Sequence, residues 1–179
     1  HRFPTRRAPS LKQLLFTDGF RPNSIILWAD EGKGVVTDSE QPHLWTFRVE
    51  ADGGLKFGER YYGPLVVPPA PTTNASAPRR SRPASAADQP AVRPGSDGMT
   101  VDNDGRLYVT TRAGLQMFDP TGRLGGVIAK PQEKSLSNVV FGGPKFDTLY
   151  VTCTDKVYCR KTKVVGTPYS LKRSETKAP

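Results

Sequence analysis

Residues 97–110 read Asp-Gly-Met-Thr-Val-Asp-Asn-Asp-Gly-Arg-Leu-Tyr-Val-Thr, and they indicate the fold class. Two short apolar runs, at 99–101 and 107–110, flank the turn sequence Asn103-Asp104-Gly105. β-Branched and aromatic residues favour strands, and glycine tolerates the positive φ that a tight hairpin turn requires. The stretch therefore predicts two antiparallel strands joined by a turn.

The same pattern occurs twice more along the chain. The copies open at Asn23, Asp97 and Asn138, and each closes on a Thr 13 or 14 positions later. A third strand is predicted after each pair, at 44–49, 114–118 and 156–160, and a fourth follows two of them, at 55–57 and 124–128. Asp97 and Asn138 are 41 residues apart, which is near the length of one four-stranded propeller blade. We therefore predict an all-β fold, a partial β-propeller of about three four-stranded antiparallel blades.

The first spacing is irregular, because Asn23 and Asp97 are 74 residues apart. Residues 68–94 account for the excess, since they contain seven Pro, seven Ala and four Arg, a composition too poor in apolar surface to fold. We expect a basic segment at 1–20, a blade at 21–67, a disordered insertion at 68–94, two blades at 95–165 and a basic tail at 166–179.

The net charge of +9 raises the question of nucleic-acid binding. Residues 1–20, 68–94 and 160–179 hold fourteen Lys/Arg and three Asp/Glu, a balance of +11, whereas the remainder holds twelve and fourteen, a balance of −2. The predicted blades are therefore slightly acidic, and no aromatic stacking platform accompanies the basic runs. We expect no nucleic-acid partner, and no membrane partner because no apolar run reaches about 18 residues.

Two other site chemistries are poorly supported. Cys153 and Cys159 lie in successive predicted strands, where they could face each other, but two small apolar side chains in a sheet are the simpler interpretation. They do not form a metal-binding Cys pattern. A serine hydrolase is not indicated, because the chain has two His and no Gly-x-Ser-x-Gly elbow.

Several short motifs occur in the order and spacing of one known family. They are Arg21-Pro22-Asn23, 36–39 (Val-Thr-Asp-Ser), 96–99 (Ser-Asp-Gly-Met), 107–110 (Leu-Tyr-Val-Thr) and 138–144 (Asn-Val-Val-Phe-Gly-Gly-Pro). Over about residues 20–165, apart from the insertion, the chain resembles the regucalcin (senescence marker protein)/gluconolactonase-like family. The resemblance implies a six-bladed propeller, of which this chain represents the C-terminal half.

The resemblance also implies an activity. The family carries one divalent cation in its central channel, and its enzymes hydrolyse lactones by attack of water on a metal-polarised carbonyl. By resemblance Asn23 is a metal ligand, and Asp97 is a metal ligand and the general base. Amide and carboxylate oxygens suit Ca²⁺ foremost, with Zn²⁺, Mg²⁺ or Mn²⁺ as alternatives. The expected substrate is a small-molecule lactone.

Other interpretations remain open at this point. An Asn or Asp that begins a strand is usually a turn residue whose side chain bonds the local backbone. Asp38 is expected to cap its hairpin. Asn138 is not predicted to be a metal ligand. The family's acidic N-terminal ligand has no counterpart, so the chain is expected to be truncated and to need self-association or a missing N-terminal half. The alternative function is a non-catalytic propeller segment that acts as a scaffold or binding module. For either function we expect a soluble protein, in the cytoplasm or the periplasm.

Overall fold

The computed structural model describes residues 21–28, 32–68 and 93–167. The regular structure in these ranges consists of eleven β-strands. They are β1 (Pro22–Leu27), β2 (Lys33–Asp38), β3 (Leu44–Val49), β4 (Leu55–Tyr62), β5 (Met99–Val101), β6 (Leu107–Thr111), β7 (Gly114–Phe118), β8 (Leu124–Ile128), β9 (Leu136–Gly142), β10 (Thr148–Cys153) and β11 (Lys156–Lys161). Within the described ranges, no helix is long and apolar enough to cross a membrane.

The strands form three antiparallel meanders, in which neighbours in sequence are neighbours in the sheet. The first sheet has the order β1-β2-β3-β4 and the second β5-β6-β7-β8, as the repeat pattern predicts. β5, the first strand of the second sheet, contacts β1 and β9, the first strands of the other two sheets. The three sheets therefore stand side by side with their first strands adjacent, and the fold is all-β and a partial β-propeller.

The described part of the third sheet has three strands, in the order β9-β10-β11, and the third repeat is also the one without a predicted fourth strand. After β11 the chain returns to the second sheet, where Gly166 forms an antiparallel bridge with Asp102 and Thr167 N–H donates to the Val101 carbonyl at 3.1 Å. A Cβ on Gly166 would lie 2.1 Å from that of Phe141. This close crossing takes the chain away from the free edge of β11, so no fourth strand follows there in the described residues.

Two apolar clusters hold the sheets together. The cluster between the first and second sheets consists of buried side chains from β2, β3, β4, β5, β6 and β7, with Leu65. The second cluster lies between the second and third sheets and includes Tyr108, Leu115, Phe141 and Leu149. Burial of apolar surface between neighbouring sheets is the main stabilising contribution in such an arrangement.

The turn between β5 and β6 has the chemistry that the sequence predicts. Gly105 takes a φ of +78°, and the buried Asp102 accepts hydrogen bonds from the backbone N–H groups of Asp104 and Arg106 at 3.0 and 2.9 Å. The other carboxylate oxygen of Asp102 accepts from the Tyr108 hydroxyl at 3.0 Å. Asp102 therefore ties the turn to the strand that follows it.

The two cysteines do not face each other. Cys153 is opposite Lys156 and Cys159 is opposite Tyr150 in the β10–β11 pairing. Both are free thiols, one buried and one exposed. The predicted basic segment 1–20, most of the predicted insertion 68–94 and residues 168–179 of the predicted tail lie outside the described residues.

Candidate functional site

Asn23 and Asp97, the two predicted metal ligands, are brought together by the adjacency of the first strands. Asn23 is the second residue of β1, and Asp97 lies two residues before β5 begins. The Asn23 side chain lies close enough to the Asp97 carboxylate to lower its pKa as a hydrogen-bond donor does. Two residues that are 74 positions apart in sequence, on different sheets, are thus neighbours in the fold.

Asp97 is a carboxylate in a partly desolvated position. Its backbone N–H donates to the Thr110 carbonyl at 3.0 Å, which holds the residue against β6. Burial raises the pKa of Asp97, while the hydrogen bonds from the Asn23 side chain and from the Gly98 N–H act in the opposite direction. Desolvation is the largest of these effects, so the Asp97 pKa lies above its ordinary value.

Asn23 is also bonded to a hydroxyl of the neighbouring strand. Its Nδ2 donates to Ser39 Oγ at 3.1 Å, and Ser39 Oγ donates to the Ser96 carbonyl at 3.0 Å. In return, the buried Ser96 hydroxyl donates to the Asp38 carbonyl at 2.7 Å. We call Ser39 and Ser96 the serine clasp, because each side chain bonds the other segment's backbone and so joins the end of β2 to the segment that leads into β5.

Asn138, which opens the third repeat, lies beside this site. An added Cβ on Gly98 would be 2.1 Å from Asn138 Oδ1 and 2.6 Å from its Cα, so the two residues are in close contact. The Gly98 N–H donates to the Ser137 carbonyl at 2.9 Å. Asn138 is the third residue of β9, and its Oδ1 accepts a local hydrogen bond from the Val139 N–H at 2.9 Å.

Asp38 has the capping geometry that the sequence suggests. Its side chain is buried, and Oδ1 accepts from the Glu40 N–H at 3.0 Å. Glu40 in turn forms ion pairs with Arg21 and Arg93. The hydrogen bond from Glu40 to Asp38 spans Ser39 and therefore restricts the backbone conformation at Ser39.

The serine clasp is the part of the site that the sequence motifs did not reveal. Ser39 directly follows Asp38, and Ser96 directly precedes Asp97, so both lie inside the quoted motifs. A hydroxyl residue next to a carboxylate is too common to predict a contact 57 residues away. Only the pairing of sheets brings the two serines together.

The chemistry of the donors fits a hard divalent cation. The Asn23 amide and the Asp97 carboxylate supply oxygen ligands, of which Ca²⁺ takes six to eight. Among the described residues no group of three or more His, Cys, Asp or Glu is placed to hold a metal ion. These residues therefore supply a small part of a coordination shell, with the right ligand type.

Comparison with known proteins agrees with the architecture. The sequence model of the SMP-30/Gluconolactonase/LRE-like region matches residues 12–155. A gluconolactonase from Zymomonas mobilis is 27% identical over 148 residues, which are 82% of this chain and 36% of that protein. The chain thus spans little more than a third of this relative.

Two solved structures have the same fold. One is a candidate gluconolactonase, with a TM-score of 0.60 and 22% identity over 85% of this chain and 42% of that chain. The other is regucalcin from Agrobacterium tumefaciens, described as a calcium-binding protein, with a TM-score of 0.51 and 20% identity over 73% of this chain and 37% of that chain. With the match over residues 12–155, the chain belongs to the SMP-30/gluconolactonase/LRE-like family.

Proposed function

We propose that this chain carries part of the active site of a metal-dependent lactone hydrolase of the gluconolactonase type. The observation that carries the proposal is the contact between Asn23 and Asp97, two oxygen donors placed side by side where the first strands of neighbouring sheets begin. The Zymomonas gluconolactonase supports the lactone substrate class, and the description of regucalcin as a calcium-binding protein supports Ca²⁺ as the cation.

The two residues have separate roles in this proposal. Asn23 and Asp97 would hold the cation, which when bound supplies polarisation of the lactone carbonyl and stabilisation of the oxyanion. Asp97 also accepts the proton of the attacking water. Its raised pKa suits that role, because a carboxylate with a pKa nearer to neutrality is a better base at physiological pH. The Asn23 amide keeps the carboxylate in one orientation.

Substitution of Asp97 tests this proposal. Asp97→Ala is expected to abolish Ca²⁺ uptake measured by calorimetry and to lower sugar-lactone hydrolysis by about 10²- to 10⁴-fold, as expected for loss of a general base. Asp104→Ala is the matched control, because Asp104 is an exposed Asp that pairs with Arg106 in the β5–β6 turn. Unchanged turnover in Asp97→Ala would contradict the assignment.

The second candidate function is a non-catalytic propeller segment that acts as a scaffold or binding module. The observation that favours it is the small donor set, because the described residues contain no cluster of three acidic, His or Cys ligands. This candidate predicts no specific uptake of Ca²⁺ or Zn²⁺, and no lactonase activity that a chelator removes. Saturable uptake with one site per chain would contradict it.

We further propose that another protein surface completes the propeller. The outer sheets carry exposed apolar side chains: Ile25 and Leu27 of β1 are 57% and 45% exposed, and Val140 of β9 and Val157 of β11 are 54% and 67% exposed. Such faces and open sheet edges favour association. Either a second copy or an N-terminal half would cover them, and light scattering across a concentration series distinguishes the two. A chain that stays monomeric at every concentration would contradict self-association.

A further inference from the structure

Ser39 is hydrogen-bonded to Asn23 and to the residue that precedes Asp97. Its Oγ contacts Asn23 Nδ2 directly, and it reaches Asp97 through the carbonyl of the preceding residue, Ser96. Its backbone is held as well, because the Ser39 N–H donates to the Arg21 carbonyl at 3.2 Å and its carbonyl accepts from the Gly95 N–H at 3.1 Å. Ser39 is therefore anchored to both segments that carry the oxygen donors.

The direction of these hydrogen bonds decides the orientation of the Asn23 amide. A hydroxyl has one proton and two lone pairs, and the Ser96 carbonyl can only accept, so the Ser39 proton is used there. Only lone pairs remain for Asn23, which must therefore turn its Nδ2 group towards Ser39. The Asp97 carboxylate can also only accept, so its interaction with the Asn23 side chain requires the same orientation of the amide.

We propose that Ser39 is a positioning residue that presents the Asn23 carbonyl oxygen to the cation. With Nδ2 directed at Ser39 and Asp97, Oδ1 is the atom left to face a metal ion. A flipped amide would offer N–H groups to the cation and place Oδ1 against two acceptors. This inference rests on the proposed function for its effect on cation binding, whereas the orientation of Asn23 is a property of the protein alone.

The first measurement uses the full chain without metal. Side-chain NMR of Asn23, by NOE contacts and three-bond couplings, is expected to give one rotamer with the Nδ2 protons near Ser39 in the wild type and in Ser39→Thr, which keeps the hydroxyl. In Ser39→Ala we expect averaged rotamers. The control is Ser137→Ala, which removes the Ser137–Thr152 hydroxyl contact of 2.8 Å in the third sheet. Ser39→Cys, with a weaker hydrogen-bonding group, gives an intermediate case should the alanine variant fold poorly.

The second measurement is calorimetric titration of Ca²⁺. Loss of a residue that orients a ligand typically lowers metal affinity by 10- to 100-fold, so we expect about a tenfold weaker Kd in Ser39→Ala and a near-wild-type Kd in Ser39→Thr. An Asn23 rotamer unchanged in Ser39→Ala overturns the inference, as does equal disturbance by Ser137→Ala. Failure of the wild type to bind Ca²⁺ refutes the proposed cation site instead, and the rotamer measurement then still decides the role of Ser39.

Discussion

Gly98→Ala is the substitution whose effect the structure defines most sharply. A Cβ at this position would lie 2.1 Å from Asn138 Oδ1 and 2.6 Å from Asn138 Cα. The side-chain oxygen could rotate away, but the backbone atom could not, so β5 and β9 would have to separate locally. We therefore expect the methyl group to destabilise the protein through crowding, not through a lost backbone conformation.

The magnitude follows from two contributions. Overpacking of a well-packed site costs about 1–3 kcal/mol. Gly98 also donates its N–H to Ser137 at 2.9 Å and accepts from the Thr110 N–H at 3.0 Å, and breaking one of these bonds in a buried position adds about 1–3 kcal/mol. The expected loss is about 2–6 kcal/mol, which for a chain of this length lowers Tm by roughly 2–4 °C per kcal/mol.

Urea unfolding followed by circular dichroism measures this loss. Gly126→Ala in β8 is the matched control, because no atom lies within 4 Å of its added Cβ. We expect the control to unfold within about 0.5 kcal/mol of the wild type. If Gly98→Ala had the same unfolding midpoint as Gly126→Ala, the close contact between the second and third sheets would be refuted.

Three further substitutions have defined outcomes. Gln116→Leu is expected to cost about 1–3 kcal/mol in urea unfolding, because the buried Gln116 side chain bonds both the N–H and the carbonyl of Val66, at 2.9 and 2.7 Å; wild-type stability would contradict this. Tyr108→Phe removes the hydroxyl that donates to Asp102 at 3.0 Å and is expected to cost about 1.5–3 kcal/mol by the same assay, whereas no change would show that the bond is unimportant. Asp97→Asn is expected to raise Tm at pH 7. Because the pKa of Asp97 is raised in the folded protein, ionisation of this carboxyl destabilises the fold above that pKa. The gain in Tm from Asp97→Asn should therefore disappear as the pH falls through the pKa of Asp97. A gain that is equal at acidic pH would contradict the last prediction.

Part of the fold was predictable because it follows from the local alternation of strand-forming and turn-forming residues. Runs of β-branched and aromatic residues alternate with Asp-Gly and Asn-Asp-Gly turns, and the strands of the second sheet formed where those runs lie. The three repeats also predicted the meander order of each sheet, since antiparallel neighbours joined by short turns pair in sequence order. The path of the chain after the third sheet was not predicted, because the return of residues 165–167 to the end of β5 is a non-local event.

The candidate site was likewise predictable only in part. The residue types where the first strands begin, Asn23 and Asp97, were evident from the repeat, which has a side-chain oxygen at this position each time. Their proximity, the raised pKa of Asp97 and the hydrogen bonds of Ser39 and Ser96 arise from the packing of the sheets. The physical reason is that hydrogen bonds and desolvation depend on which strands become neighbours, and apolar packing between sheets brings together segments that are far apart in the chain.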